Sequence, residues 1–297
     1  MSAEPGALRT VVYAHYDPAH RVAPYVRYAV ERLMSCADRL VFVSASDLPS
    51  GETGWLAPYP ATLMVRANAG LDFASYRDGL LQLPIRAGEE IVLANDSVYG
   101  PFFELGDIFA TMSGRLAPAW SLTRSEEIAE HMQSYFLCFG AEVVASRAFW
   151  DFWRGCAVLE RKRDIILDYE VGLSRSLQQA GFTIDSYCPP HPAAAGGAAR
   201  GAVMAQALRA LGRKWKRPEF YRDALSVALG RRRYALNPAL ANWRELVSRH
   251  GLPLVKRSLF ADPARRWERF ADLEQLVTEG DDTALAFARG HLATAPG

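Results

Sequence analysis

The chain has 297 residues, half of them apolar and 23% charged, with a formal net charge of +1. That is enough chain for one large α/β domain, or a domain with an appendage. A near-neutral chain exerts no general pull on nucleic acid, and none is expected as a partner. The amino-terminal MSAEPGALRT lacks an apolar signal core and no apolar run reaches 18 residues, so a cytoplasmic protein without a membrane span is expected.

Apolar runs of strand length fall at residues 10–14, 40–44, 62–65, 91–94, 119–122 and 135–139. Between them lie helical patterns. Val22, Tyr25, Val26, Ala29, Val30, Leu33 and Met34 follow helical spacing along one face. Phe73, Tyr76, Leu80 and Leu83 form a second such face, and Leu105, Ile108, Phe109 and Met112 a third. Tyr169, Leu173, Leu177 and Ala180 line a helix that Gly181 ends. Alternating strands and helices predict a mostly parallel sheet covered on both faces. Cys36, Cys138, Cys156 and Cys188 stand at no metal-site spacing and are expected to be reduced and mostly buried.

Residues 189–201 (PPHPAAAGGAARG) have the composition of a linker or mobile loop. Beyond them the pattern is helical, at 202–213, 218–229, 238–250 and 264–278, with no strand expected. The organisation read is an α/β domain over 1–188, a linker over 189–201 and a helical region over 202–297. Residues 200–233 carry ten basic side chains against Glu219 and Asp223, with Trp215 among them. Such a stretch suits an anionic membrane surface, or is a solvated helix face. The run Arg231–Arg233 could contact nucleic acid, but a short basic run is more readily expected to be a solvated face.

Ligands of open α/β sheets sit at the carboxyl ends of the strands. After the first strand come His15, Tyr16 and Asp17; after the third, Arg66, Asn68, Gly70, Asp72, Ser75 and Arg77; after the fourth, Asn95, Asp96, Ser97 and Tyr99. Gly70 permits a tight turn, Asn68 and Asp72 can bond a base or ribose, and Ser75 near a helix start suits phosphate. A turn and helix cap would use the same residues. Asp96 can hold Mg²⁺ or Mn²⁺ against a diphosphate; Asn95 and Ser97 equally suit an Asx-turn. Glu170, near a helix start, is placed for a general base or as a partner of the helix dipole, with Asp164 and Asp168 as competitors. His131 and Gln133 precede the last strand, where a lone histidine is commonly structural. No HExxH, GxSxG or P-loop motif occurs.

In this order, the segments VVYAHYDP, FVSAS, VRANAGLDFASYRDGL, IVLANDSVYGPF, HMQSYFLCF, DYEVGLSRSLQQAGF and NPALANWRELVSRHGLPLVKRSLF resemble the rhamnan synthesis F family, over about residues 10–262. The resemblance implies an A-type glycosyltransferase fold, Rossmann-like and mostly parallel, with a helical C-terminal part. It implies an inverting sugar transferase of polysaccharide or O-antigen assembly, rhamnose from dTDP-rhamnose being the first expectation and UDP or GDP sugars the others. The acceptor would be a lipid-linked glycan at the inner membrane face. His15 to Asp17 and Asn68 to Asp72, with Ser75, Arg77, Asn95 and Ser97, would hold the donor. Asp96 would be the metal or diphosphate position and Glu170 the base, with His131, Gln133 and Tyr99 toward a sugar. The DxD triplet usual in that fold is here Asn95-Asp96-Ser97, so Arg66 and Arg77 stand as alternative partners for the diphosphate. Two rival classes are an inactive glycan-binding module on the same fold and a nucleotidyltransferase. His15-Tyr16-Asp17-Pro18 in place of a glycine-rich phosphate loop argues against the latter.

Overall fold

The computed structural model describes residues 8–84, 86–126, 129–159, 162–189, 237–277 and 282–294. Its strands are β1 (Arg9–His15), β2 (Arg39–Ser44), β3 (Ala61–Val65), β4 (Glu90–Asn95), β5 (Val98–Tyr99), β6 (Ala119–Ser121), β7 (Arg124–Ser125), β8 (His131–Met132), β9 (Phe136–Phe139), β10 (Ile184–Ser186) and β11 (Val255–Lys256). Seven of them form one sheet in the order β10-β6-β9-β4-β1-β2-β3. Its pairs are parallel except that β9 runs against both β4 and β6. The expected mostly parallel, Rossmann-like sheet is present. The reversal has a direct consequence: Ala94 pairs with Phe136, so the start of β9 lies beside the carboxyl end of β4.

The helices are α1 (Pro24–Met34), α2 (Leu71–Leu81), α3 (Leu105–Ser113), α4 (Ala141–Val144), α5 (Arg147–Gly155), α6 (Lys162–Ile165), α7 (Val171–Gln179), α8 (Pro238–Ala241), α9 (Trp243–His250), α10 (Arg266–Leu276) and α11 (Asp282–Thr294). Strand side chains alternate between faces, and here both faces are buried. Val11 and Tyr13 join a core with α1, α3 and the C-terminal helices, while Val12 and Ala14 join a second core with α2, α5 and α7. This is why the central strands read as continuous apolar runs. Gly79 lets α2 lie close on the sheet, since a Cβ there would stand 2.6 Å from Val12 Cγ1 and 2.9 Å from Val43 Cγ2.

The C-terminal helices share the first core. Trp243, Leu246, Phe270, Leu273, Ala288 and Leu292 belong to the same buried cluster as Val11, Phe42 and Val92. The expectation of no strand in this region is corrected: β11 pairs antiparallel with β5, Val255 with Tyr99 and Lys256 with Val98. A two-residue ladder is too short to give a periodic signal. The helix expected over 238–250 is two helices that meet at Asn242, and α4, α5, α11 and β10 lie where no element was expected. A π turn, Ile166–Glu170, leads into α7, and Gly181 follows that helix with φ 90°. The sequence 190–236, with the basic stretch, most of the expected linker and the helices expected over 202–213 and 218–229, lies outside the described residues. Among the described residues no helix is long and apolar enough to cross a membrane. All four cysteines are free, with Cys138, Cys156 and Cys188 buried.

Candidate functional site

The carboxyl ends of β1 and β4 meet at Asp96. Its Oδ2 accepts the Tyr16 backbone N–H at 3.0 Å, and its own N–H donates to Ala14 O. The side chain is buried. Burial, only partly offset by the Tyr16 N–H and the charge of Arg257, pushes the carboxyl up to about 6. Asp17 adds a like charge in the same direction. Beside it, His15 is buried against Phe42 with Nδ1 3.0 Å from Ser44 Oγ. Burial lowers that imidazole to about 4, so it is neutral at pH 7. Asp17 is fixed by its N–H to Ser46 Oγ at 2.8 Å, and Tyr16 is 44% exposed at the mouth.

Asn95 forms the Asx-turn, accepting the Ser97 N–H at 3.0 Å and the Ser97 hydroxyl at 2.5 Å. Its amide also donates to Asp72 Oδ2 at 2.8 Å. The start of α2 is thereby tied to the end of β4. Gly70 holds the turn before α2 at φ 75°, and a Cβ there would stand 2.7 Å from the Ala74 Cβ. Asn68 is exposed in that loop. The structure therefore brings together His15, Tyr16, Asp17, Gly70, Asp72, Asn95, Asp96 and Ser97.

Across the start of β9 stands Glu170, the last residue of the π turn. Ser134 Oγ donates to its Oε1 at 2.6 Å and His131 Nε2 lies 3.3 Å from its Oε2. The opposite ring nitrogen of His131 faces Ala129 O at 2.8 Å. Burial works against the charge of Glu170. The hydrogen bonds from His131 and Ser134 and the charges of His131 and Lys256 outweigh it and hold the carboxyl below its usual range. Of the competing acids, Asp168 is exposed and Asp164 half-buried.

Other expected residues face elsewhere. Ser75 is 2% exposed inside the α2–sheet contact, so a phosphate does not reach it. Arg77 is turned to Asp78 and to Cys156 O, and Arg66 shares Asp78 and bonds Ala69 O. Gln133 is buried and accepts from Thr123 Oγ1. Tyr99 is buried with its hydroxyl 2.7 Å from His291 Nδ1 on α11.

Arg257, Lys256, Ser134, Tyr25 and His291 had no expected role. Arg257 Nη1 donates to Asp96 O at 3.0 Å, and its guanidinium carbon is 5.3 Å from the centre of the Tyr25 ring. Tyr25 Oη also donates to Asp96 O, at 3.1 Å. Lys256 Nζ lies 5.1 Å from the centre of the Tyr135 ring. The signal available was the pair Lys256-Arg257 closing the apolar run from Leu252 to Val255.

A divalent ion is the group the fold resemblance implies. The donor set does not fit one held by the protein. Asp96 is a single carboxylate with Oδ2 engaged by Tyr16 and a guanidinium close by, and the described residues contain no group of three His, Cys, Asp or Glu able to hold a metal.

The molecule is thus an α/β protein with one reversed strand and a mixed acidic and basic site at the carboxyl end of its sheet. The family model described as rhamnan synthesis protein F matches residues 40–215, and the chain belongs to that family. The uncharacterized protein y4gN of Sinorhizobium fredii (strain NBRC 101917 / NGR234) is 30% identical over 167 residues, 54% of this chain and 44% of that protein. The match thus spans less than half the length of this relative. Similar solved structures include a protein described as a glucose-1-phosphate thymidylyltransferase from Bacillus anthracis with sucrose, at 9% identity and TM-score 0.43, covering 60% of this chain and 86% of that one. Another is 4-diphosphocytidyl-2C-methyl-D-erythritol synthase of Anaerococcus prevotii, at 9% identity and TM-score 0.38, covering 55% and 83%. At such identities and scores neither structure speaks to the chemistry of this chain.

Proposed function

We propose that the chain is an inverting glycosyltransferase of polysaccharide synthesis, taking a deoxyhexose, rhamnose in the first instance, from a nucleoside-diphosphate donor. The donor would be dTDP-rhamnose and the acceptor a lipid-linked glycan at the inner face of the cytoplasmic membrane. One observation carries this within the family: two carboxylates flank the same sheet end with ionisations pushed apart, Asp96 up to about 6 and Glu170 below its usual range. Such divergence marks groups with separate roles. Glu170, kept as carboxylate, takes the proton of the acceptor hydroxyl. That oxygen bonds to the anomeric carbon as the bond to the donor phosphate oxygen breaks, and the electron pair leaves on the diphosphate.

The test is transfer from dTDP-rhamnose, UDP-sugars and GDP-sugars to a rhamnan oligosaccharide, with the new linkage read by NMR. A product that retains the donor's anomeric configuration would overturn inversion; no product from any donor would overturn sugar transfer. The second reading, an inactive glycan-binding module, draws on Ser134 and His131, which already occupy one position on each Glu170 oxygen. Oligosaccharide binding without donor turnover would favour it.

A further inference from the structure

We propose that Lys256 and Arg257 are the groups that meet the donor diphosphate, supplied by the C-terminal segment to a sheet end that otherwise offers mostly carboxylates. This rests on the sugar-transfer reading and goes to what neutralises the leaving group.

The pair is built into the site. Lys256 pairs with Val98 in the β5–β11 ladder, and the Arg257 N–H donates to Ser97 O at 2.9 Å, so both sit against the turn that carries Asp96. Adjacent in sequence, they serve different carboxylates: the charge of Arg257 acts on Asp96 and that of Lys256 on Glu170. Both therefore stand at the turn that carries Asp96, close enough for Glu170 to feel the charge of Lys256.

Arg257 is pre-organised. Asp96 O takes a hydrogen bond from its guanidinium, and the Tyr25 ring lies beside it. A guanidinium has five N–H groups and the side chain is only partly buried, so the fork has donors beyond the one that Asp96 O takes. Lys256, also partly exposed, is steered by the Tyr135 ring.

Electrostatics require such groups. Asp17, Asp72, Asp96 and Glu170 gather at this end of the sheet, and a nucleoside diphosphate brought among them is repelled unless fixed cations stand there. Arg66 and Arg77 are already engaged: they share Asp78 and bond Ala69 O and Cys156 O respectively. Fixed cations aimed at developing phosphate charge stabilise a leaving group without reorganisation, and an arginine fork matches phosphate oxygens.

The experiment is calorimetric titration of dTDP, UDP and GDP into the full chain in EDTA and in Mg²⁺, for the wild type, Lys256→Gln, Lys256→Arg and Arg257→Gln, with circular dichroism to confirm folding. Expected are wild-type binding of one diphosphate that EDTA leaves within twofold, a tenfold or greater loss in folded Lys256→Gln with a smaller dependence on salt, and recovery of most affinity in Lys256→Arg. Arg257→Gln is read only if folded, and Lys256→Gln decides otherwise. Unchanged affinity in folded Lys256→Gln, or wild-type binding abolished by EDTA, overturns the proposal while leaving sugar transfer standing. No binding of any diphosphate by the wild type overturns both.

Discussion

Arg257 and Asp96 are 161 positions apart in the chain, yet the guanidinium of one donates to the backbone carbonyl of the other at 3.0 Å. The C-terminal segment is thereby part of the same site as the turn after β4. The bond goes to the peptide oxygen, and the carboxylate of Asp96 bonds instead to the Tyr16 N–H. Among the described contacts the cation thus meets the peptide oxygen of the acid and not its carboxylate, and the carboxyl stays raised despite the positive neighbour.

Glu170→Gln keeps the volume and the contact to Ser134 and removes the base. Transfer is expected to fall by about 10²–10⁴-fold, the usual contribution of a positioned general base, while calorimetry finds donor affinity within about twofold of wild type. Transfer near the wild-type rate would reassign the base.

His131→Gln tests the ionisation of Glu170. The depressed carboxyl of the wild type is charged above its folded pKa, and activity is lost as pH falls through it. Removing the imidazole takes away a hydrogen bond and a charge that favour the carboxylate, so the acid limb of kcat/KM is expected to move to higher pH. The pH–rate profile reads this directly; an unmoved limb means that His131 does not set the charge of Glu170.

Residues near one another in sequence gave most of what was legible. Central strands such as 10–14 and 91–94 were visible because both faces of the sheet are buried. The gathering of His15–Asp17 with Asn95–Ser97 followed from one rule about strand ends. Glu170 was singled out by position, but its partners Ser134 and Lys256 were not, because β9 runs backwards and β11 has two residues. The roles of Arg66 and Arg77 turn on Asp78, which lies next to Arg77 in sequence but comes within reach of Arg66 only once α2 has folded. Arg257 and His291 reach the site by long-range packing that no local periodicity encodes.

Gly79→Ala probes how α2 sits on the sheet. The added Cβ meets Val12 and Val43 at under 3 Å, and both are buried in the second core, so either the helix or the strands must shift. A loss of about 1–3 kcal/mol is expected, as for overpacking of a tight core, and urea denaturation measures it. Unchanged stability would mean that the α2–sheet contact has slack that these distances do not allow.

Asp96→Asn is expected to stabilise the protein at neutral pH, against the usual direction of mutations at a site. The folded carboxyl titrates at about 6 instead of the usual 3.8, so between those values the folded chain holds a proton that the unfolded chain has released. Stability from this group therefore falls as pH rises through that window, and above about 6 the buried charge costs its full amount, at most about 3 kcal/mol. The asparagine can still accept the Tyr16 N–H but carries no charge. Thermal melts should place the variant above wild type at pH 8, with the gap closing toward pH 4. His15 and His291, both lowered to about 4 by burial, act oppositely: as pH falls from 6.5 to about 4 the unfolded chain takes up protons that the folded imidazoles refuse, and both proteins lose stability there. That loss is common to the two, so the difference between them isolates Asp96. A variant less stable than wild type at pH 8 would mean that the carboxylate is held by a positive partner stronger than Arg257 and would restore the case for a bound cation.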